Sequence, residues 1–227
     1  MEIKTIFDLG FFNGDDAALL LGKGYKVISV EGDPALVKAG EERFKKEISE
    51  GKLVLINKAI SDKKGTVEFF TSKDQPYRGS CFKGLAEYGG FPSEKVTIET
   101  ITINELCENY GNPCYMKIDI DGCEIPAVEQ VYALEEKPRF LSIEFPKKHY
   151  AGILSWLWVS GYRKFQFRNQ INSLSYHHSS DLFGEELPEE KWISIEEVLS
   201  RYIKFRELRD VDYKELALGW LDLHASL

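Results

Sequence analysis

A doubly wound α/β fold with a mostly parallel sheet is what this sequence predicts, and three observations predict it. Short, β-branched apolar runs alternate with helical stretches along most of the 227 residues. FDLGFFNGDD, residues 7–16, sets a glycine turn between an apolar strand and a helix. Further on, YMKIDIDGCE repeats the order of strand, acidic turn and helix. In such sheets ligands bind outside the carboxyl ends of the strands, so the residues that end each strand are the ones to read for function.

Taken in order, EIKTIFDL reads as a buried strand ending at Asp8, and a helix begins at Gly14 or Asp15. Gly10 and Gly14 let the backbone turn tightly and approach a ligand. YKVISVEGDP is a second strand through Val27, Ile28 and Val30 that ends at Glu31, and Pro34 opens the helix ALVKAGEERFKKEI, which stops at Gly51. KLVLINKAI is the third strand, with SDKKGTVEFFT as a turn and a further strand pairing beside it. VTIETITINELCENYG runs from a strand into a short helix capped at Thr102. PRFLSIEF, HYAGILSWLWVSG and YRKFQFRN then follow as strand, apolar helix and strand, a last helix falls near residues 195–206, and LALGWLDLHASL closes the sheet as an apolar edge strand. One domain over residues 1–227 is expected, with substrate-loop insertions at about 72–95 and 169–192.

Composition narrows the partners. Hydrophobic content of 43% and charged content of 29% suit a soluble globular chain, and no apolar run approaches the roughly 20 residues of a membrane span. MEIKTIFDLG lacks a basic start and a long apolar region, which predicts a cytoplasmic location. Cys81, Cys107, Cys114 and Cys123 show no CxxC spacing, which favours reduced thiols over disulfides or a zinc site. A net charge of −8 argues against a large nucleic-acid footprint and for a small-molecule or carbohydrate partner. The state of assembly is left between monomer and homodimer, the apolar C-terminal strand offering an edge for pairing.

Asp8, Glu31 and Asp119 each end a strand and would converge on a nucleoside crevice. An acid after the second strand can accept both hydroxyls of a ribose, in nicotinamide and S-adenosylmethionine enzymes alike. An acid directly before the glycine turn would repel a pyrophosphate and attract a sulfonium, and the turn reads DxGxxxG instead of GxGxxG. Asp8 therefore favours S-adenosylmethionine. A nicotinamide-dependent oxidoreductase and a catalytically inactive nucleoside-binding scaffold stand as the alternatives.

FDLGFFNGDD, VISVEGDP, INKAISDKKGTVEFF, YMKIDIDGCE and FLSIEF, in this order and spacing, resemble the FkbM family of S-adenosylmethionine-dependent methyltransferases. The similarity covers roughly residues 5–145, with weaker echoes in FGEELPEEKW and GWLDLHASL, and NKAISDKKGTVEF and KIDIDGCE are its most discriminating parts. It implies the seven-stranded, Rossmann-like class I methyltransferase fold and O-methylation of a hydroxyl on a sugar, polyketide or other natural product. It further implies that Asp8, Gly10, Asn13 and Gly14 line the methionine end of the cofactor, that Glu31 holds the ribose with Asp33 assisting, and that Asn57 to Ile60, Ala59 among them, border the adenine. One position differs: where the family often has asparagine two residues after the first glycine, this chain has Phe12, with Asn13 one place later.

Transfer to a neutral alcohol needs a base as the oxygen attacks. Asp119 and Asp121 stand beside the expected methyl position, and one of them takes the proton, holds a divalent metal such as Mg, or orients the cofactor. Glu124 on the next helical turn would complete a metal set, and Glu144 ends the following strand. Four acids near one point imply either a metal or a raised pKa. His149, five residues after Glu144, is a further base candidate, as are His177 and His178. Tyr77, Arg78, Arg168 and Gln170 are candidates for holding the acceptor, and Lys117 for an ion pair with one of the acids.

Overall fold

A computed structural model describes residues 4–72, 74–145, 149–169, 183–212 and 221–227. The chain runs β1 (Thr5–Leu9), α1 (Asp15–Gly22), β2 (Lys26–Glu31), α2 (Pro34–Arg43), α3 (Lys45–Ser49), β3 (Leu53–Asn57), β4 (Ala59–Ile60) and β5 (Thr66–Thr71). It continues through α4 (Lys83–Ala86), β6 (Glu94–Ile101), α5 (Ile103–Tyr110), β7 (Tyr115–Ile118), α6 (Glu124–Ala133), β8 (Phe140–Glu144), α7 (Tyr150–Val159), β9 (Lys164–Asn169), α8 (Ile195–Asp212) and β10 (Leu221–Ser226). Seven strands make one sheet in the order β3-β2-β1-β7-β8-β10-β9, the class I Rossmann-like arrangement expected, with β10 alone antiparallel to its neighbours. The order reverses between β1 and β7, and this reversal opens a crevice at their carboxyl ends.

Both faces of the sheet are covered, which is why its strands read as nearly continuous apolar runs. Ile6, Val27, Leu53 and Tyr115 pack with Leu20, Phe44 and Phe183 on one face. Phe7, Leu9, Ile28, Met116, Ile118 and Ile143 pack with Leu106, Val128, Leu157 and Val198 on the other. Each such side chain contributes on the order of 2 kcal/mol by leaving water, so the strand ends at the crevice rest on a stiff base.

Several local signals act as read. Thr102 caps α5 through a reciprocal box in which its hydroxyl accepts from Glu105 N–H at 3.0 Å and its own N–H donates to Glu105 Oε2 at 3.1 Å. Pro34 opens α2 behind an Asp33 cap.

Three expectations are corrected. The helix predicted over residues 35–48 is two helices, because Phe44 leaves helical geometry (φ −109°, ψ 25°) and buries its ring edge-on against Phe11, with centroids 5.8 Å apart. β5 does not pair beside the third strand. It joins β6 antiparallel, and with β4 they form a separate three-stranded sheet, since the residues between β3 and β5 turn the chain out of the main sheet. β10 is not an edge: it lies between β8 and β9, with both sets of backbone groups paired, so the expected pairing edge at the C-terminus is closed.

Candidate functional site

The two glycines of the first turn answer to close packing. Gly10 has φ +98°, and a Cβ there would lie 1.8 Å from the Asp119 carbonyl oxygen, so β1 and β7 meet through this glycine. At Gly14, φ +81°, a Cβ would lie 2.4 Å from the Phe11 ring. Asn13 is spent on starting α1: its Oδ1 accepts from Asp15 N–H at 3.1 Å and its Nδ2 donates to Asp15 Oδ2 at 2.8 Å. Arg43 clamps the same turn by donating to Asn13 O at 2.6 Å and Asp15 Oδ1 at 2.8 Å. Phe12, at φ +49°, turns its ring out toward Tyr77 and its N–H inward to Glu31 Oε2 at 2.8 Å.

Glu31 ends β2 with 8% of its surface exposed. Its Oε1 accepts from Asp33 N–H at 2.8 Å. The two carboxylate oxygens offer about four acceptor sites between them, more than the backbone N–H groups of Phe12, Gly32 and Asp33 use, and the residue fits a nucleoside ligand. Burial raises its pKa against the pull of the Asp33 and Phe12 N–H groups. Asp33 serves mainly as a cap, Oδ1 accepting from Ala35 N–H at 2.8 Å. Asn57 braces the end of β2 by donating to Glu31 O at 3.0 Å and Gly32 O at 3.2 Å, and Ala59 is buried in β4 opposite Thr100.

Asp8 lies wholly buried one residue before the end of β1, beneath the turn. Its Oδ2 accepts from Ser29 Oγ at 2.9 Å, while Oδ1 has no hydrogen-bond partner among the described residues. Burial lifts its pKa to about 7, outweighing the attraction of Lys117. Lys117 is the predicted ion-pairing residue, lying 2.5 Å from Asp16 and 3.3 Å from Asp119. Burial works against its charge, but Asp16, Asp119 and Asp8 together raise its pKa well above the usual lysine range. Asp8 heads a buried polar row that sequence reading missed. Ser29, Asp8, Lys117, Ser142, His224 and Gln166 are successive register partners across six strands. Strand pairing alone brings them together, and no local pattern announces it.

The second turn gathers the other acids. Asp119 follows β7, its N–H donating to Leu9 O at 2.8 Å. Asp121 takes φ +30°, a strained value for a residue with a Cβ, and burial with the charges of Asp119 and Glu124 raises its pKa to about 7. Glu124 turns back to its own turn, both carboxylate oxygens accepting from Gly122 N–H at 3.0 and 2.9 Å. Glu144 ends β8, and burial followed by Asp119, Asp121, Asp222 and Glu124 raises its pKa well above the carboxylate range. Asp222, the register partner of Glu144 on β10, is an acid of this cluster that sequence reading did not find, because it belongs to the strand inserted last. Among the described residues no group of three or more His, Cys, Asp or Glu is arranged to hold a metal ion, so Asp119, Asp121 and Glu124 are acids of one neighbourhood and not a preformed ligand set. His149 is exposed at the start of α7 with φ +68°. His177, His178 and Gln170 lie outside the described residues, and Arg168 is half-buried on β9.

A loop covers this second turn. Ser80 Oγ donates to Asp121 O at 2.7 Å, and Phe82 and Leu85 crowd Gly122, where a Cβ would come within 2.6 Å of Leu85. The Arg78 guanidinium lies 5.5 Å from the centre of the Tyr77 ring and 5.3 Å from that of Tyr88. Tyr77, Phe82 and Tyr88 are each more than half exposed, which leaves an aromatic rim beside the acids and Phe12.

Residues 9–164 match the model of the Methyltransferase FkbM domain. No curated protein sequence matches the chain. Among solved structures it is similar to a precorrin-6y C5,15-methyltransferase from Geobacter metallireducens, at 7% identity and a TM-score of 0.46 over 98% of this chain and 78% of that one. It is also similar to an S-adenosylmethionine-dependent O-methyltransferase from Thermotoga maritima, at 11% identity and 0.47 over 99% and 59%. A third is the Haemonchus contortus phosphoethanolamine N-methyltransferase 1, in complex with phosphoethanolamine and S-adenosylhomocysteine, at 11% identity and 0.45 over 100% and 37%. With the family model spanning more than two thirds of its length, from the first glycine turn to the start of β9, the chain belongs to the FkbM methyltransferase domain family.

Proposed function

We propose that this protein methylates a hydroxyl oxygen of a small acceptor such as a sugar, a polyketide or another natural product. When bound, S-adenosylmethionine supplies an electrophilic methyl group on a sulfonium. Glu31 would hold the ribose hydroxyls with the lone pairs that Phe12, Gly32 and Asp33 leave unused. Asp8, beneath the turn, would favour the positive ligand by ionising. The observation that carries the choice of oxygen is Asp121 in its cluster of acids, whose pKa of about 7 suits its carboxylate to accept an alcohol proton near neutral pH. The rim of Phe12, Tyr77 and Tyr88 offers faces for a ring-bearing acceptor.

Titration calorimetry with S-adenosylhomocysteine, S-adenosylmethionine and NADH tests the cofactor. Binding of the two sulfur ligands and not of NADH is expected. Glu31→Ala should weaken it roughly a hundredfold, the worth of two hydrogen bonds to a charged group at about 1.5 kcal/mol each. Unchanged affinity in that variant would sink the assignment of Glu31. Mass analysis of products from an acceptor screen, with and without magnesium, then tests the oxygen: methyl groups found only on nitrogen or carbon would overturn it.

A further inference from the structure

We propose that Cys81 and Cys123 are an oxidation site, closing a reversible disulfide when the protein meets hydrogen peroxide or an organic peroxide. The two thiols come from segments far apart in sequence that the fold holds face to face. Ser80 fixes one side of Cys81, pairing with Phe70 in both directions (2.8 and 3.0 Å) and donating from Oγ to Asp121 O at 2.7 Å. Phe82 and Leu85 fix the other side, lying close over Gly122. Cys81 is thus bracketed by contacts to the two residues that precede Cys123, and each thiol is the largest influence on the other's pKa, lowering that of Cys81 and raising that of Cys123. A disulfide needs a sulfur separation of about 2.05 Å, and thiols on neighbouring turns reach it by a closing movement of the loop that carries one of them. Cys107 and Cys114 belong to other parts of the fold, one packed against each of the two larger apolar clusters, whereas Cys81 packs beside Ala59, Phe69 and Ile98.

Its neighbour Cys123 lowers the pKa of Cys81, and the segment that carries Cys81 is the loop lying over the turn, so Cys81 is the nucleophile in this proposal. Its sulfur attacks one peroxide oxygen, the O–O bond breaks, and the leaving hydroxide takes up the proton Cys81 released. The Cys123 sulfur then attacks the sulfenic sulfur, the S–O bond breaks, and the oxygen leaves as water with the Cys123 proton. Two thiols are oxidised and hydrogen peroxide is reduced to two waters. The bond would fasten the loop that carries Tyr77, Phe82 and Tyr88 to the turn that carries Asp121. Formation of the bond is independent of which acceptor the protein methylates.

The test treats the full chain with stoichiometric hydrogen peroxide and counts thiols. The four cysteines should fall to two free thiols, peptide mapping should find the Cys81–Cys123 link, and dithiothreitol should restore all four. A Cys107→Ser/Cys114→Ser variant should lose both remaining thiols at the same dose. Cys123→Ser should stop at a sulfenic acid on Cys81, trapped by dimedone, and Cys81→Ser should keep its thiols. A different linkage, over-oxidation of Cys81 and Cys123 without a bond, or survival of both thiols in the double variant would each overturn the proposal.

Discussion

After β1 the chain turns on Gly10 and Gly14, and its backbone is taken up at once by neighbouring strands: Gly10 N–H donates to Val30 O at 2.9 Å and Phe12 N–H to Glu31. After β7 it turns on Asp121 and Gly122, and what holds it there is side chains, Glu124 taking the Gly122 N–H and Ser80, Phe82 and Leu85 of a loop lying over it. The first junction is therefore part of the sheet's own frame. The second carries its strain at Asp121 and its acids under a cover that is a separate piece of chain. A cofactor that every turnover uses in the same pose suits the first arrangement. An acceptor that must enter and leave past a movable edge suits the second.

The largest expected effect comes from breaking the first junction. Gly10→Ala puts a Cβ into the Asp119 carbonyl at a backbone angle that side chains avoid, so we expect a loss of about 3 kcal/mol in stability and of measurable S-adenosylhomocysteine binding. Thermal unfolding and calorimetry read both. A variant that melts and binds like the wild type would show that the two strand ends do not meet as closely as described.

A smaller effect sharpens the role of Asp8. Its folded pKa of about 7 lies above the ordinary 3.8, so the native state holds a proton that the unfolded chain has released between those values. The stability this confers is fully present below about pH 4 and is lost as pH rises through 7. Asp8→Asn should flatten that part of the stability curve. The same proton should be released when a sulfonium binds, so affinity for S-adenosylmethionine should rise between pH 6 and 8 more steeply than affinity for the uncharged S-adenosylhomocysteine. Calorimetry in buffers of different ionisation enthalpy counts the protons, and equal release for both ligands would separate Asp8 from the sulfonium.

The mildest change addresses the second junction. Ser80→Ala removes two hydrogen bonds, Oγ to Asp121 O and Phe82 N–H to Oγ, each worth about 1 kcal/mol, and should raise the acceptor KM a few-fold while leaving cofactor affinity unchanged. Equal loss on both ligands would mean that the two junctions act as one unit.

Much of the chain around the first turn and the helix starts was legible because its signals are local. DxGxxxG, the acid at the end of the second strand, Pro34 and the cap at Thr102 each act within a few residues of where they are written, whereas Asp33, expected at the ribose, caps α2. Asn13 and Glu124 were legible as residues but not in their bonds, since both turn back on their own helix starts. The acids at the ends of β1, β2 and β7 could be named in advance because a parallel sheet presents its carboxyl ends at one rim.

What the amino-acid sequence determined by itself is the alternation of strands and helices, the glycine turn and the family. These depend on periodicity, backbone freedom and short-range hydrogen bonds, all of which are written in contiguous residues. Only the tertiary structure decided that β10 enters between β8 and β9 and sets Asp222 opposite Glu144, that β5 leaves the main sheet for β6, and that Cys81 meets Cys123. The physical reason is that strand order and loop placement are settled by which surfaces bury together across long separations, and a buried polar row such as Asp8, Lys117 and Ser142 exists only once three distant strands share a register.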